Sequence, residues 1–459
     1  MCGDGQVTGD ELCDADTVTC ASLGTMYASG MATCRSTCLG YDVSTCVIDS
    51  TVAAEQVRPA ARDPRWNDAV CNDGTSYAFS VSLPATPSNE WVIFLEGGGF
   101  CDGSPFNSCL PPHQPTKLTS SAAAPADRAK LTATGGSTLL NRNGDAAKNP
   151  RFHGANLVFA TYCSSDLWTG TRAEPFMLEG VSRQFTGKLN VKAMLEILRQ
   201  RYGLDDSRSD TKVLYTGASA GGNGARNTVD LVVKQLPNTA AGQRIWLAPE
   251  NGFMPMGWTW TDPTFSILGS DLPDLQYFEN DAQLWHSQIS AACTTLALTA
   301  GQLPSVCATG KWGDWAALKP LAEGGLGLRV FEYQSRRDTV YATDMHKLTT
   351  AAQLAPWDVI VAKEIDESGV RWYFTPDAQI HGLQGQNASG LFNYHHVPFP
   401  AYDAANSPSC NRSGSLGSTP YATGKDYYSM VVDFFDDPAP ATSGERVCFD
   451  VEGAGHQWP

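Results

Sequence analysis

At 459 residues with 42% apolar content, the chain can hold one large globular domain and a small one, and no apolar run approaches membrane-spanning length. A net charge of −16 speaks against nucleic acid and anionic membranes as partners. The 14 cysteines, six of them before residue 47, imply an oxidising, extracellular setting. A zinc reading is weak, because no C-x-x-C pair exists and no histidine near the cysteines completes a site. No secretory leader is visible, and Met1-Cys2 is expected to stand where one has been removed.

Residues 1–48 read as a disulfide module. They hold Cys2, Cys13, Cys20, Cys34, Cys38 and Cys46 among small polar residues, too little apolar mass for a core of their own. The opening, Cys2-Gly3-Asp4-Gly5 and then Glu11-Leu12-Cys13-Asp14, resembles short cysteine-rich repeats of bacterial secreted and surface proteins. That makes the module the candidate contact to a cell surface or polymer. Six cysteines allow about 15 pairings, and the order of residues does not choose among them. Asp4, Asp10, Glu11, Asp14 and Asp16 invite a calcium reading, but no twelve-residue loop with a terminal glutamate is present, so a solvated acidic face is preferred.

Residues 49–64 read as a linker or packed strap, and 65–459 as the large domain. Tyr77 to Val81 alternates like a strand, and Trp91 to Leu95 is a continuous apolar run suited to a strand covered on both faces. Asn156 to Thr161 is another. Val191 to Tyr202 has the spacing of an amphipathic helix. A strand at Lys212–Tyr215, a helix from Gly224 to Gln235, and strands at Arg244–Leu247 and Leu328–Tyr333 follow. This alternation predicts an α/β fold, a mostly parallel sheet with helices on both faces. The polar stretches 110–150 and 382–425 are expected as loops or lid-like insertions.

The chemistry centres on Gly217-Ala218-Ser219-Ala220-Gly221-Gly222, between a strand and a helix. A serine at such a turn is presented at a helix N-terminus, and the glycines let strand and helix approach. A nucleophilic serine needs oxyanion donors. Leu95-Glu96-Gly97-Gly98-Gly99-Phe100-Cys101 follows a buried strand and offers the N–H of Gly98 or Gly99. Ala220, after the serine, offers a second donor.

Three segments then stand in register: Glu96-Gly97-Gly98-Gly99-Phe100-Cys101, Tyr162-Cys163-Ser164-Ser165-Asp166-Leu167-Trp168-Thr169-Gly170, and Gly217 to Gly222. In order and spacing they resemble the pectin acetylesterase/Notum carboxylesterase family, over roughly residues 66–435. The resemblance implies an α/β-hydrolase-like fold and ester cleavage by a Ser-Asp-His triad, with no cofactor and no metal. Tyr333-Gln334-Ser335-Arg336-Arg337-Asp338 matches the acid segment and implies Asp338. Phe374 to His381 matches the histidine segment and implies His381. The order Ser219, Asp338, His381 is that of α/β-hydrolases. Two departures stand out: Ala378 replaces a cysteine often found near the histidine, and Gly99 stands where Notum has tryptophan.

The same resemblance implies the bridges Cys71–Cys163, Cys101–Cys109, Cys293–Cys307 and Cys410–Cys448. His456, in Gly453-Ala454-Gly455-His456, resembles the terminal histidine segment of polyester depolymerases and rivals His381, which is preferred because its flanks align. His395-His396 lacks a third ligand at metal spacing, and Asp166 precedes the serine, so it reads as structural. Phe100, Trp168, Phe253, Trp258 and Trp260 are candidate pocket aromatics, with core packing the plainer reading. The expected activity is a secreted serine carboxylesterase acting on O-acyl esters, foremost O-acetyl groups on polysaccharide. Longer acyl or polyester-type esters, and a non-catalytic surface-binding protein on the same fold, are the alternatives.

Overall fold

The computed structural model describes residues 2–104, 108–111, 118–124, 131, 139–140, 142, 149–250, 252–254 and 281–334. Beyond these it describes single positions between 361 and 375, short strands between 385 and 420, and residues 427–436 and 446–449. Its centre is a nine-stranded sheet. In chain order the strands are β1 (Glu55–Val57), β2 (Phe79–Ser82), β3 (Glu90–Leu95), β4 (Asn156–Ala160), β7 (Lys212–Ala218), β8 (Ile245–Glu250), β9 (Arg329–Tyr333), β10 (Trp372–Thr375) and β11 (Arg446–Phe449). A separate hairpin, β5 (Arg172–Leu178) and β6 (Val181–Phe185), interrupts the series. The spatial order is β11-β10-β9-β8-β7-β3-β4-β2-β1. Seven strands from β11 to β4 run parallel, while β2 is antiparallel to both β4 and β1.

The unbroken apolar runs follow from burial on both faces. In β7, Val213 and Tyr215 face one core while Leu214 faces the other. Trp91, Ile93 and Leu95 join the first core, and Val92 and Phe94 the second. The first core is covered by α1 (Gly187–Arg201) and α2 (Ala220–Gln235), and the second by α5 (Tyr427–Asp436) through Met430, Val431, Phe434 and Phe435. Helices α3 (Ala291–Thr299) and α4 (Gly310–Leu318) pack against one another beside α2. The predicted helix at Val191–Tyr202 begins four residues earlier, at Gly187. Glycine there is required, because a Cβ would stand 2.6 Å from the Trp168 Cα.

The disulfide-rich segment shares the main core. Its three bridges are Cys2–Cys38, Cys13–Cys34 and Cys20–Cys46. Leu12, Leu23, Met26 and Tyr27 are buried in the first core, where apolar mass the segment lacks is supplied by α1. The Tyr27 hydroxyl donates to the Arg201 carbonyl at 3.1 Å, and Arg35 pairs with Asp205 at 3.1 Å. Residues 49–64, expected as a linker or strap, include edge strand β1, paired with β2. The module's acids serve loop backbones: Asp14 accepts from the N–H groups of Gly3 and Gly5, and Glu11 from Thr8. Among the described residues, Cys13, Asp16 and Cys34 have metal-ligand spacing, but the two cysteines are bonded to each other.

Cys71–Cys163, Cys101–Cys109 and Cys293–Cys307 are formed in the large domain, as the family resemblance implies. Cys410 lies outside the described residues. No described helix is long and apolar enough to cross a membrane.

Candidate active site

The site lies where parallel strands end. Leu95 of β3 is in register with Gly217 of β7, and Ala218 of β7 with Glu250 of β8. Residues just beyond these positions therefore meet at the carboxyl edge of the sheet, where open α/β sheets bind ligands. Ser219 is the single residue between β7 and α2, and its backbone sits at φ 57°, ψ −124°. That conformation is rare for a side chain with a Cβ, and such strain persists only where the surroundings hold it. Here the Ser219 N–H donates to the Glu250 carbonyl at 2.8 Å, and its carbonyl accepts from Asn223 at 3.0 Å. The Ser219 hydroxyl does not cap the helix. Ala220 is the first residue of α2, so its N–H has no carbonyl partner within the helix.

The glycine-rich loop after β3 closes directly over this turn. A Cβ on Gly97 would stand 2.2 Å from the Ala218 carbonyl oxygen and 2.9 Å from the Ser219 Cβ. Only glycine allows that approach. Gly97→Ala is expected to cost about 3 kcal/mol, the upper range for overpacking, and to lower any Ser219-dependent turnover. Urea unfolding of the variant would check the first, and an unchanged midpoint would show that the loop yields freely. Gly98 and Gly99 follow at a partly exposed position, Gly99 at φ 77°.

The Tyr162–Gly170 segment fixes this loop from below. The Tyr162 hydroxyl donates to the Gly99 carbonyl at 2.9 Å and accepts from the Leu167 N–H at 2.8 Å. The Cys101 N–H donates to the Ser165 carbonyl, and the Trp168 indole N–H to the Glu96 carbonyl, each at 3.0 Å. Ser165, Leu167 and Trp168 all have positive φ. Asp166 holds that turn: its carboxylate accepts from Ser164 Oγ at 2.7 Å, the Trp168 N–H at 3.1 Å and the Gly187 N–H at 2.7 Å. Burial pushes its pKa up to about 6. Asp166 is thus committed to the turn and to the start of α1.

Sequence reasoning missed three buried features. Tyr162 gave no signal as a loop brace. Trp285 donates its indole N–H to the Cys101 carbonyl at 3.0 Å and meets Phe100 edge-on at 5.8 Å. The third is an ion cluster: Arg226 of α2 contacts Asp314 at 2.7 Å, Glu332 of β9 at 2.6 Å and the Gly252 carbonyl at 2.8 Å. All three charged side chains are wholly buried. An arginine directly after the small-residue stretch Gly221 to Ala225 was the available hint, since no long neighbours there could shield it from the core.

Of the candidate aromatics, Phe100 is half-buried, while Trp168 and Phe253 are fully buried. Trp168 lies against Gly224, and Phe253 against Gly310 with the Arg226 guanidinium over its ring, so both back the site as packing. Close to Phe100, Asp102 and the buried Asp281 approach one another. Burial first, and then the Asp102 charge, push the Asp281 carboxyl up to about 8. Asp338 and His381 follow the ends of β9 and β10 in sequence, but they lie outside the described residues, as do Trp258, Trp260, His395, His396 and His456.

The pectinacetylesterase family model matches residues 51–254, a span that holds both the glycine-rich loop and Ser219. Over that span the chain is similar to the pectin acetylesterase/Notum family. It is 33% identical over 224 residues to palmitoleoyl-protein carboxylesterase notum1′ of Xenopus laevis, covering 49% of this chain and 38% of that protein. To the human palmitoleoyl-protein carboxylesterase NOTUM it is 34% identical over 169 residues, or 36% of this chain and 30% of that protein. The matched region thus spans about a third of these relatives' length. The solved structure of the Wnt deacylase Notum from Drosophila superposes with a TM-score of 0.54 at 21% identity, covering 71% of this chain and 84% of that one. At that identity the likeness establishes a shared α/β-hydrolase fold.

Proposed function

We propose that the chain is a secreted serine carboxylesterase that hydrolyses O-acyl esters. The observation that carries this reading is the strained Ser219 turn with Gly97 packed against it. The Ser219 hydroxyl attacks the ester carbonyl and passes its proton to His381. The N–H groups of Ala220 and of Gly98 or Gly99 hold the oxyanion, each donor worth about 3 kcal/mol of barrier. As the tetrahedral intermediate collapses, His381 returns the proton to the leaving alcohol. Water, activated by the same histidine, then releases the acid and regenerates Ser219. Asp338 holds the imidazole in the required tautomer. The disulfides suit an oxidising compartment outside the cell.

The favoured substrate is an O-acetyl group on a polysaccharide. A longer acyl group is the second reading, supported by the relatives whose names describe palmitoleoyl-protein cleavage. Hydrolysis of p-nitrophenyl esters from acetyl to palmitoyl separates the two. The base must be neutral, so kcat/KM is expected to fall as pH drops through about 6.5, the ordinary histidine pKa. A profile flat from about pH 5 to 8, with chemistry rate-limiting, would remove histidine as the base. Parallel His381→Ala and His456→Ala variants assign it: a dead His456→Ala beside an active His381→Ala would transfer the role.

A further inference from the structure

We propose that Glu179, assisted by Arg183, is a positioning residue that sets the oxyanion loop from outside the site. This rests on the reading of Gly98 or Gly99 as an oxyanion donor. Hairpin β5–β6 pairs Leu178 with Val181, leaving the two-residue turn Glu179-Gly180. Both turn residues have positive φ, 51° and 76°. Asparagine or glycine is the usual first residue of such a turn, and glutamate there is held against its preference.

The carboxylate of Glu179 is spent on one target. It accepts the Cys109 N–H at 2.6 Å and the Ser108 hydroxyl. The buried Arg183, on β6, donates to the Cys109 carbonyl at 2.8 Å. The hairpin therefore grips the Cys109 residue by both its N–H and its carbonyl. Leu178 adds a packing contact, standing 2.6 Å from where a Cβ on Gly103 would be. Cys109 is joined to Cys101, two residues beyond Gly99. Cys101 is pinned in turn by Ser165 and Trp285. A continuous covalent and hydrogen-bonded path thus runs from the hairpin turn to the proposed donors.

The base of the hairpin is anchored through Phe185 in the first core and through Gln184 to Asn72, while its turn end reaches out to Cys109. At that end Met177 and Val181 are exposed, and among the described residues β5 and β6 pair with each other and with no strand of the main sheet. An oxyanion donor must sit about 2.7–3.1 Å from the developing charge, and a displacement of about 1 Å can cost 10²-fold. Loss of the grip should therefore act on the transition state and leave ground-state binding largely alone.

The test compares wild type with Glu179→Ala, Glu179→Gly and Glu179→Gln on p-nitrophenyl acetate, with affinity for a boronic acid measured alongside as a tetrahedral mimic. Glycine suits the turn's positive φ, so Glu179→Gly keeps the test open if the alanine variant folds poorly. Alanine and glycine are expected to lower kcat about ten-fold or more, to weaken boronic-acid binding in step, and to leave KM within about three-fold. Glutamine should recover most of the loss, because its amide oxygen still accepts from Cys109. Variants within two-fold of wild type in kcat, or changed in KM alone, would overturn the inference while leaving the esterase reading intact. A folded wild type that cleaves no ester in the acetyl-to-palmitoyl series overturns both.

Discussion

Ser219→Ala is expected to abolish ester hydrolysis, lowering kcat by about 10⁶-fold, the loss seen when a triad serine is removed. The fold should survive, because the serine backbone, through its bonds to Glu250 and Asn223, is what ties the turn together. A fluorophosphonate should label wild type once per chain and leave the variant unlabelled. The strained backbone supplies an internal control. At φ 57°, ψ −124° a residue without a Cβ is at ease, so Ser219→Gly should be equally inactive yet melt higher than Ser219→Ala, by roughly 1 kcal/mol of stability. Retained turnover within ten-fold in both variants would take the nucleophile's role from Ser219.

The largest stability effect is expected at Arg226. One guanidinium sits between two carboxylates with no access to water. Burial alone would lower its pKa, but Asp314 and Glu332 more than offset that and raise it. Burial pushes both carboxyls up, and Arg226 opposes the shift. For Glu332 burial prevails, and its carboxyl stays well above the usual range. Arg226→Met leaves two buried acids without their cation and should cost about 3–5 kcal/mol near neutral pH.

The pH dependence of that loss has a definite sign. A carboxyl whose folded pKa is raised favours the fold below its unfolded value, about 4, and loses that advantage as pH rises toward the folded value. Without Arg226 both carboxyls are raised further. The deficit against wild type should therefore be larger at pH 8 than at pH 5, as denaturant midpoints at the two values would record. A deficit growing toward acid would mean that the carboxyls remain charged without their partner. The cluster joins the helix that begins just after Ser219 to the strand that leads toward Asp338, so the variant should also lose turnover.

How legible these features were depended on whether a local pattern dictated them. Trp91–Leu95 and Lys212–Tyr215 were visible because strands covered on both faces must be apolar throughout. The Ser219 turn was visible because a strand can meet a helix that closely only through small residues. Hairpin β5–β6 was not, since its exposed faces carry no regular alternation: Arg172, Ala173, Glu174 and Pro175 precede Phe176. Strands β10 and β11 are four residues long, too short for periodicity to stand out. The bridges Cys71–Cys163, Cys101–Cys109 and Cys293–Cys307 were reached through family resemblance, whereas the first six cysteines stayed open among many pairings until the chain path brought partners together.

Local sequence thus determined the α/β class, the central strands, the serine turn and the glycine-rich loop, all set by neighbours in the chain through backbone sterics and burial. Tertiary structure alone decided that Gly97 abuts Ser219, that Arg226 meets Asp314 and Glu332, that the cysteine-rich segment leans on α1, and that Glu179 reaches Cys109. Each of those contacts joins residues far apart in the chain. Their energy depends on distance, exclusion of water and the filling of a shared core, and none of these is a property of a stretch of residues read by itself.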